Sequence, residues 1–176
     1  MPEEYEMSSI EARRLVDLYA DLILRLAASY LGQIADAEDI CQDVLLKLLL
    51  RYRRDQAFMD SEHERAWVIR VTINACKDQL KSARYSRVDS LEAKRESIGW
   101  DIAAPEYIEQ SPASSNVLAQ LQQLPPAWRM AIYLYYYENL SARQIAEMTE
   151  SGEAAVTARL SRGRRRLRKL LEGDAR

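Results

Sequence analysis

The sequence predicts an all-α chain made of two small helical domains, an N-terminal helical bundle and a C-terminal helix-turn-helix domain, joined by a flexible linker. Three observations support this class. Leu, Ala, Glu, Arg and Gln are abundant, whereas five Gly, five Pro and one Phe in 176 residues leave little material for strands and tight turns. Apolar residues recur at steps of three and four behind Ser-x-x-Glu or Ser-x-x-Gln capping signals. This periodicity is lost over residues 86–115, which separates domains at 1–85 and 116–176.

Composition sets the broad class. Apolar residues make up 48% and charged residues 30%, which is typical of an ordinary soluble protein. Cys41 and Cys76 lie in separate helical patterns without a CxxC motif, and His63 is the one histidine, so we expect buried thiols and no metal or cofactor site. The N-terminus has no signal pattern and no apolar run reaches the roughly twenty residues of a spanning helix. We expect a cytoplasmic protein without membrane insertion.

The first helix is predicted to begin at Ser8, because Glu11 completes a capping box, and to end at Gly32. Its inner stripe is predicted to contain Leu15, Leu18, Tyr19, Leu22, Leu26 and Tyr30.

The second helix is predicted to be capped by Asp36. Its inner face contains Ile40, Val44, Leu45 and Leu48. The run LLKLLL has more leucines than one face buries, so Leu46 and Leu50 are expected at the rim or on the surface. They either complete a helical bundle or form an exposed apolar strip that binds another protein.

Residues 52–61 show no periodicity and are predicted to form a loop, after which Ser61 and Glu64 open a third helix with another capping box. Its buried side is predicted to contain Ala66, Ile69, Ile73, Cys76 and Leu80. A second stripe contains Trp67, Arg70, Asn74, Lys77 and Lys81. Aromatic, amide and cationic groups on one face suit stacking on unpaired bases, although a single Trp is more often a packed residue. Both interpretations stay open here.

Beyond the linker, Pro126 or Ala127 is predicted to start a helix that ends near Asn139. Its scaffold side is predicted to pack Trp128, Ile132, Tyr135 and Tyr136 behind the following helices. The tyrosines could instead form a base-stacking platform, but scaffold packing is favoured.

The last stretch predicts two helices separated by a turn. Ser141 and Gln144 form a capping box, and Ser151-Gly152 provides the break, since glycine reaches backbone angles that other residues avoid. The core-facing stripe of the second helix contains Val156, Leu160, Gly163, Leu167 and Leu170. Its other side is basic and, unless it is merely a solvated face, is typical of a major-groove recognition helix. The base-facing candidates are Ala155, Thr157, Ala158, Arg159 and Arg162. Because the chain has a net charge of −2, its overall field does not attract DNA. DNA binding must therefore depend on local basic patches and on delivery to DNA by a larger partner.

These motifs resemble the extracytoplasmic-function sigma factors of the sigma-70 family. DAEDICQDVLLKLL at 36–49 and AWVIRVTINACKDQL at 66–80 are similar to the family's second conserved region. LPPAWRMAIYLYYYENLSARQIAEM and VTARLSRGRRRLRKLL are similar to the fourth. The resemblance covers nearly everything from Leu15 to Leu171 and implies an alternative sigma factor, not an enzyme. Its partners would be core RNA polymerase (the clamp of the largest subunit and the flap of the second largest), promoter DNA and an anti-sigma factor.

The resemblance also implies roles for particular residues. The polymerase-binding set would be Glu38, Asp39, Gln42, Asp43, Leu46 and Lys47. The set for the −10 element would be Arg54, Phe58, His63, Trp67, Arg70, Asn74, Lys77, Asp78 and Lys81, with the loop at 54–63 holding a flipped base. The set for the −35 element would be Arg143, Ala155, Thr157, Ala158, Arg159, Arg162 and Arg165.

Two departures stand out. The family usually has Gly-Thr-Val-Lys-Ser-Arg where this chain has Ala-Ala-Val-Thr-Ala-Arg at 154–159, so base-edge donors are missing and reading of DNA shape gains weight. The turn glycine is expected at Gly152 and not at position 150. We expect no extra domain between the two regions and no long C-terminal extension. The alternative is a helix-turn-helix regulator that binds duplex DNA by itself as a dimer. A catalytic role is disfavoured, because one His and no clustered carboxylates leave no active site to assemble.

Overall fold

The computed structural model describes residues 9–54, 58–88 and 120–173. In these ranges the chain forms helices, turns and bends and no strand, which confirms the all-α class. The helices in chain order are α1 (Ser9–Leu31), α2 (Ile34–Arg53), α3 (Ser61–Val88), α4 (Pro126–Tyr136), α5 (Ala142–Thr149) and α6 (Glu153–Gly173). Residues 120–122 are also helical. None of these helices has the length and apolar character that crossing a lipid bilayer requires.

Helix α1 packs against both α2 and α3 to form the N-terminal unit. Of its predicted inner stripe Leu15, Tyr19, Leu26 and Tyr30 are buried, and Ile23 joins them. Leu18 was predicted to be buried and is 52% exposed, so that prediction was wrong. At 100° per residue it lies roughly 100° around the helix from the centre of the buried stripe. Gly32 has φ 82° and ends the helix as predicted. The proposed cap, Ser8, lies outside the described residues.

Helix α2 begins two residues earlier than its predicted cap. Its N-cap is Gln33, which makes no side-chain capping bond, and Asp36 lies in the first turn, so the prediction of an Asp36 cap was wrong. The earlier start adds residues 34–36 to the helix, ahead of the fully buried Ala37. The helix also continues through Tyr52 and Arg53, which were predicted to belong to the loop.

A buried carboxylate ties the three N-terminal helices together. Glu64 is 5% exposed and accepts hydrogen bonds from Tyr19 Oη of α1 at 2.6 Å and from Tyr52 Oη of α2. Burial, together with the carboxylate of Glu64, raises the pKa of Tyr19. The predicted capping role of Glu64 is therefore wrong. Instead, the N–H of His63 donates to Asp60 Oδ1 at 2.7 Å, so Asp60 caps the first turn of α3.

The C-terminal unit is built from α4, α5 and α6, with α6 packed against both of the others. On α6, Val156, Leu160 and Gly163 are buried, while Leu167 and Leu170 pack against the core at its edge, which confirms the predicted stripe. Gly163 permits the close approach of α4, because a Cβ there would lie 2.8 Å from Ile132 Cδ1.

Helix α4 buries a different side from the one predicted. Ile132 is buried and Trp128 packs at the edge of the core, but Tyr135 and Tyr136 are 38% and 52% exposed. The fully buried Leu134 takes the position that we had given to the tyrosines, because the core lies on the side of Met130 and Leu134. The helix ends at Tyr136, earlier than the predicted end near Asn139, and Asn139 has φ 54° in the segment that follows.

The two units also contact each other. Helix α1 packs against α4, and α3 packs against α5. Helix α3 extends to Val88, past the predicted start of the linker at residue 86. The rest of the predicted linker, up to residue 115, lies outside the described residues.

Candidate interfaces for nucleic acid and protein

The outward face of α2 combines acidic and apolar side chains. Every member of the predicted polymerase-binding set is exposed, namely Glu38, Asp39, Gln42, Asp43, Leu46 and Lys47. Leu46 is 55% and Leu50 37% exposed, while Ile40, Val44 and Leu48 of the same helix are buried. The first interpretation of the surplus leucines, that they complete the bundle, is therefore wrong. They form an apolar strip with a charged rim, which is the kind of surface that binds another protein.

An aromatic cluster lies where the loop after α2 enters α3. The Phe58 ring packs against Tyr52, His63 and Trp67 at centroid separations of 5.8, 5.5 and 5.6 Å. The guanidinium of Arg51 lies 4.5 Å from the Phe58 centroid and 5.5 Å from that of Trp67. Cation–π contacts of this kind hold side chains in fixed orientations. The cluster therefore fixes the end of the loop.

Sequence reasoning named Phe58, His63 and Trp67 and missed Arg51 and Tyr52. The available signal was position, since both residues lie in the last turn of α2, next to the loop. Phe58 and Trp67 are half-buried, whereas His63 and Arg54 are exposed. Met59 next to Phe58 is 89% exposed. The loop thus presents a thioether, an imidazole and a guanidinium around a partly accessible aromatic pair.

The second stripe of α3 continues from this cluster. Arg70, Asp78 and Lys81 are exposed, and Lys81 Nζ lies 3.5 Å from Asp78 Oδ1. Asn74 and Lys77 are half-buried. Lys77 Nζ donates to the carbonyl oxygen of Thr149 on α5 at 2.9 Å. The structure thus places the predicted residues on one stripe, but it engages Lys77 with the other helical unit.

Helices α5 and α6 form the predicted helix-turn-helix. The hydroxyl of Ser141 accepts from the N–H of Gln144, and the side chain of Gln144 accepts from the N–H of Ser141, which confirms the capping box. The turn differs from the prediction. Glu150, at φ 53° and ψ 43°, is the left-handed residue, whereas Gly152 has no positive φ. The left-handed residue of the turn is therefore at position 150. The prediction that the turn residue is Gly152 and not position 150 was wrong.

The outer surface of α6 is open near its N-terminus. Ala155, Thr157, Arg162 and Arg165 are exposed, while Ala158 and Arg159 are half-buried. Arg159 Nη1 donates to Ser151 Oγ at 3.0 Å, so its guanidinium points back to the turn. Arg143 on α5 is exposed and pairs with Glu147 Oε1 at 3.2 Å. The exposed groups that can contact a duplex edge here are the Thr157 hydroxyl and the guanidiniums of Arg162 and Arg165.

The side-chain types that bind metal ions or act as nucleophiles are the last feature of these surfaces. Within the described ranges no group of three or more His, Cys, Asp and Glu side chains is placed to hold a metal ion. Cys41 and Cys76 are buried free thiols, as predicted. Burial raises the pKa of the Cys76 thiol to about 12, so it is a poor nucleophile near neutral pH.

Comparison with known proteins gives two family matches in one order along the chain. The family described as Sigma-70 region 2 matches residues 15–85, and the family described as Sigma-70, region 4 matches residues 114–167.

Individual relatives agree with these matches. The ECF RNA polymerase sigma factor SigE of Mycolicibacterium smegmatis is 30% identical over 158 residues, which cover 89% of this chain and 60% of SigE. SigW of Bacillus subtilis is 25% identical over 165 residues, which cover 89% of this chain and 87% of SigW. Among solved structures, the sigma factor RpoE of Bartonella quintana, in complex with the anti-sigma factor NepR, matches with a TM-score of 0.73 and 25% identity, covering 91% of this chain and 96% of RpoE.

Proposed function

This chain belongs to the sigma-70 family, in its extracytoplasmic-function group, and we propose that it is an alternative sigma factor that binds core RNA polymerase and directs transcription initiation from specific promoters. The order of regions 2 and 4 along the chain carries the proposal. We assign residues 1–85 to polymerase binding and −10 recognition, 86–115 to a linker and 116–176 to −35 recognition. The polymerase catalyses RNA synthesis, so the sigma factor has no catalytic role of its own. It would act in the cytoplasm, together with the polymerase.

The outward face of α2 is the proposed polymerase surface. Its exposed leucine, Leu46, would be buried against the clamp of the largest subunit, while Asp39 and Asp43 would pair with cations around it. An apolar centre with a polar rim is the usual anatomy of a protein interface. The C-terminal unit would meet the flap of the second-largest subunit.

Helix α3 and the loop before it form the proposed −10 surface. Extruding a base from the duplex costs a few kcal/mol, which stacking and a pocket must offset. The half-buried ring of Phe58, with the neighbouring Trp67, is the aromatic pair available for stacking. Arg70, Asn74, Lys77, Asp78 and Lys81 then follow the strand along α3, and Arg54 and His63 flank the loop.

The N-terminal half of α6 forms the proposed −35 surface, with Arg143 of α5 beside it. Ala155 and Ala158 provide only apolar contact. Arg159 is held by Ser151, so base-edge hydrogen bonds fall to Thr157 and Arg162, and Arg165 would contact phosphate. With few base-edge donors, sequence-dependent DNA shape should contribute much of the selectivity at the −35 element. An anti-sigma factor is the expected regulator, because the DNA-binding surfaces must be masked when transcription is not required.

Run-off transcription tests the proposal. Core RNA polymerase would be supplied with the chain and with a library of promoter fragments from the native host. We expect defined start sites that core RNA polymerase alone does not give, and no shift of duplex DNA by the chain alone. A strong shift without polymerase, with no gain in transcription, would favour the stand-alone helix-turn-helix regulator instead.

A further inference from the structure

We propose that the last turn of α2 positions the aromatic pair of the −10 surface, through the side chains of Arg51 and Tyr52. These two side chains hold the rings of Phe58 and Trp67 in one orientation, and so decide how strictly the surface selects an unpaired base. Neither Arg51 nor Tyr52 belongs to the sets assigned to DNA or to polymerase from the sequence. The inference deepens the proposed function and rests on it, because it concerns base selection at the −10 element.

Stacking on an aromatic ring does not by itself select a base. Every base has a π-face, so base–aromatic stacking tolerates any sequence. Discrimination comes from contacts to the base edges, and such contacts require that the base be held within a narrow range of angles. Phe58 lies in a loop and is half-buried, so the orientation of its ring depends on the side chains packed around it.

Tyr52 supports the Phe58 ring from α2. The two ring centroids are 5.8 Å apart at an interplanar angle of 51°. The Tyr52 hydroxyl donates to Oε2 of Glu64, a carboxylate of α3 that is 5% exposed. The hydroxyl of Tyr19 donates to Oε1 of the same carboxylate at 2.6 Å. A buried polar network whose members are satisfied is rigid, so the Tyr52 ring is anchored to the core of the N-terminal unit.

Arg51 supports the same rings through its charge. Its guanidinium carbon lies 4.5 Å from the Phe58 centroid and 5.5 Å from the Trp67 centroid. The Nε atom of Arg51 is buried and has no hydrogen-bond partner among the described residues. An unpaired buried donor is costly, and cation–π attraction is stronger where water is excluded. The two rings are therefore the partners that hold this guanidinium, and the guanidinium in turn joins the two rings.

A positioning role and a purely structural role predict different results for two tyrosines. Tyr19 and Tyr52 each donate one hydroxyl to Glu64, but of the two it is Tyr52 that packs against Phe58. Replacing either tyrosine by phenylalanine keeps the ring and leaves the buried carboxylate with one donor fewer, which lowers stability. Base selection should depend on the Tyr52 hydroxyl alone. Tyr19→Phe is therefore the matched control for Tyr52→Phe.

The experiment uses holoenzyme reconstituted from core RNA polymerase and the full-length chain, as wild type, Tyr52→Phe, Tyr19→Phe, Arg51→Met or Phe58→Ala. The probe is the strongest promoter found by run-off transcription, with its −10 element unpaired and each −10 base replaced in turn by the other three. Competition binding gives the ratio of affinities for the preferred base and for the others at the most selective position. Melting curves of the free chains give the stability of each variant.

We expect Tyr52→Phe and Arg51→Met each to lower this affinity ratio on the order of threefold to tenfold, which corresponds to the net contribution of one hydrogen bond or one cation–π contact. Tyr19→Phe should melt at a lower temperature than wild type and keep the wild-type ratio. A wild-type ratio in Tyr52→Phe and Arg51→Met would overturn the positioning role, as would a ratio lowered equally by the two tyrosine variants. An Arg51→Met variant that loses the same affinity for all four bases would also overturn it, because uniform loss indicates a phosphate contact.

Phe58→Ala separates this inference from the proposed function. It should lower the affinity ratio at least as far as Tyr52→Phe does, because it removes the ring that Tyr52 supports. If Phe58→Ala lowers the ratio and Tyr52→Phe does not, then the positioning role fails and the proposed −10 surface stands. If Phe58→Ala leaves the ratio unchanged, then both the positioning role and the proposed use of this loop fail. Absence of promoter-specific transcription by the wild-type holoenzyme would overturn the proposed function itself.

Discussion

Replacing Glu150 by glycine should stabilise the protein. Glu150 has φ 53° and ψ 43°, an arrangement in which a Cβ crowds the following carbonyl oxygen. Relieving this crowding contributes about 1–2 kcal/mol. Glycine also lowers the free energy of unfolding by about 0.5–1 kcal/mol, because it loses more backbone entropy on folding. Glu150 is exposed and forms no ion pair with another of the described residues, so little else is lost. The net expectation is a gain of up to about 1.5 kcal/mol in the free energy of unfolding.

Equilibrium urea denaturation, followed by the helical circular dichroism signal, measures this gain as a higher midpoint at unchanged slope. Two controls separate the turn from other effects. Glu150→Ala removes the same charge but keeps Cβ, so it should not stabilise. Gly152→Ala should cost no more than about 1 kcal/mol, because Gly152 is the N-cap of α6, where glycine is preferred over alanine, while nothing lies within 4 Å of a Cβ there. If Glu150→Ala stabilised as much as Glu150→Gly, then our account of this turn would be wrong.

Three further predictions concern packing, ionisation and DNA. Gly163→Ala should lower the free energy of unfolding by about 0–2 kcal/mol, measured by urea denaturation, because a Cβ 2.8 Å from Ile132 Cδ1 costs about 1–3 kcal/mol and alanine in a helix interior regains about 1 kcal/mol over glycine. Stability should fall as the pH rises from 9.0 towards about 12, because burial raises the folded-state pKa of Cys76 above its unfolded value. Below the unfolded pKa this contribution is fully present, and denaturation at about pH 8 and about pH 10.5 should show a decrease that Cys76→Ala reduces. Arg162→Ala should weaken binding of holoenzyme to duplexes carrying the −35 element and relax base preference at one position by about 1–3 kcal/mol, measured by competition against substituted duplexes.

Helix positions were predictable from the sequence because apolar spacing encodes which face is buried. Val156 and Leu160 on α6, like Ile69 and Ile73 on α3, lie where the three-four pattern places them. The exposed Leu46 followed from the same argument, since one helical face has limited area. The pattern was less reliable near its edges, as Leu18 shows. A residue that is 60–100° from the centre of a stripe is buried only if a neighbouring helix reaches it.

Helix ends were predicted less well, because several residues compete to cap them and packing decides among them. Glu64 matched a capping box in sequence, yet the hydroxyls of Tyr19 and Tyr52 draw it into the core and Asp60 takes the cap. Gly152 was the obvious turn residue, but Glu150 accepts the left-handed conformation. The capping box of α5 was found correctly, because Ser141 and Gln144 are both exposed and have no competing partner in the described structure.

Contacts between the two units could not be read from the sequence. Arg65 and Glu138 are 73 residues apart in the sequence, and Lys77 and Thr149 are 72 residues apart. No periodicity links positions so distant, and Arg65, Lys77 and Glu138 each resemble an ordinary surface charge in the sequence. The candidate DNA-binding residues were found through resemblance and helical stripes, whereas the engagement of Lys77 and Arg159 by internal partners required the structure.

The outward face of α2 gives the most direct test of the central claim, that this chain acts by binding core RNA polymerase. Leu46→Glu should be compared with Leu18→Glu, because the two leucines are similarly exposed, at 55% and 52%, on different helices. The measurement is the affinity of each full-length variant for core RNA polymerase. We predict that Leu46→Glu loses on the order of a hundredfold in affinity, as expected for a residue at the centre of an interface, while Leu18→Glu binds like wild type. Equal affinities for the two variants would contradict the account.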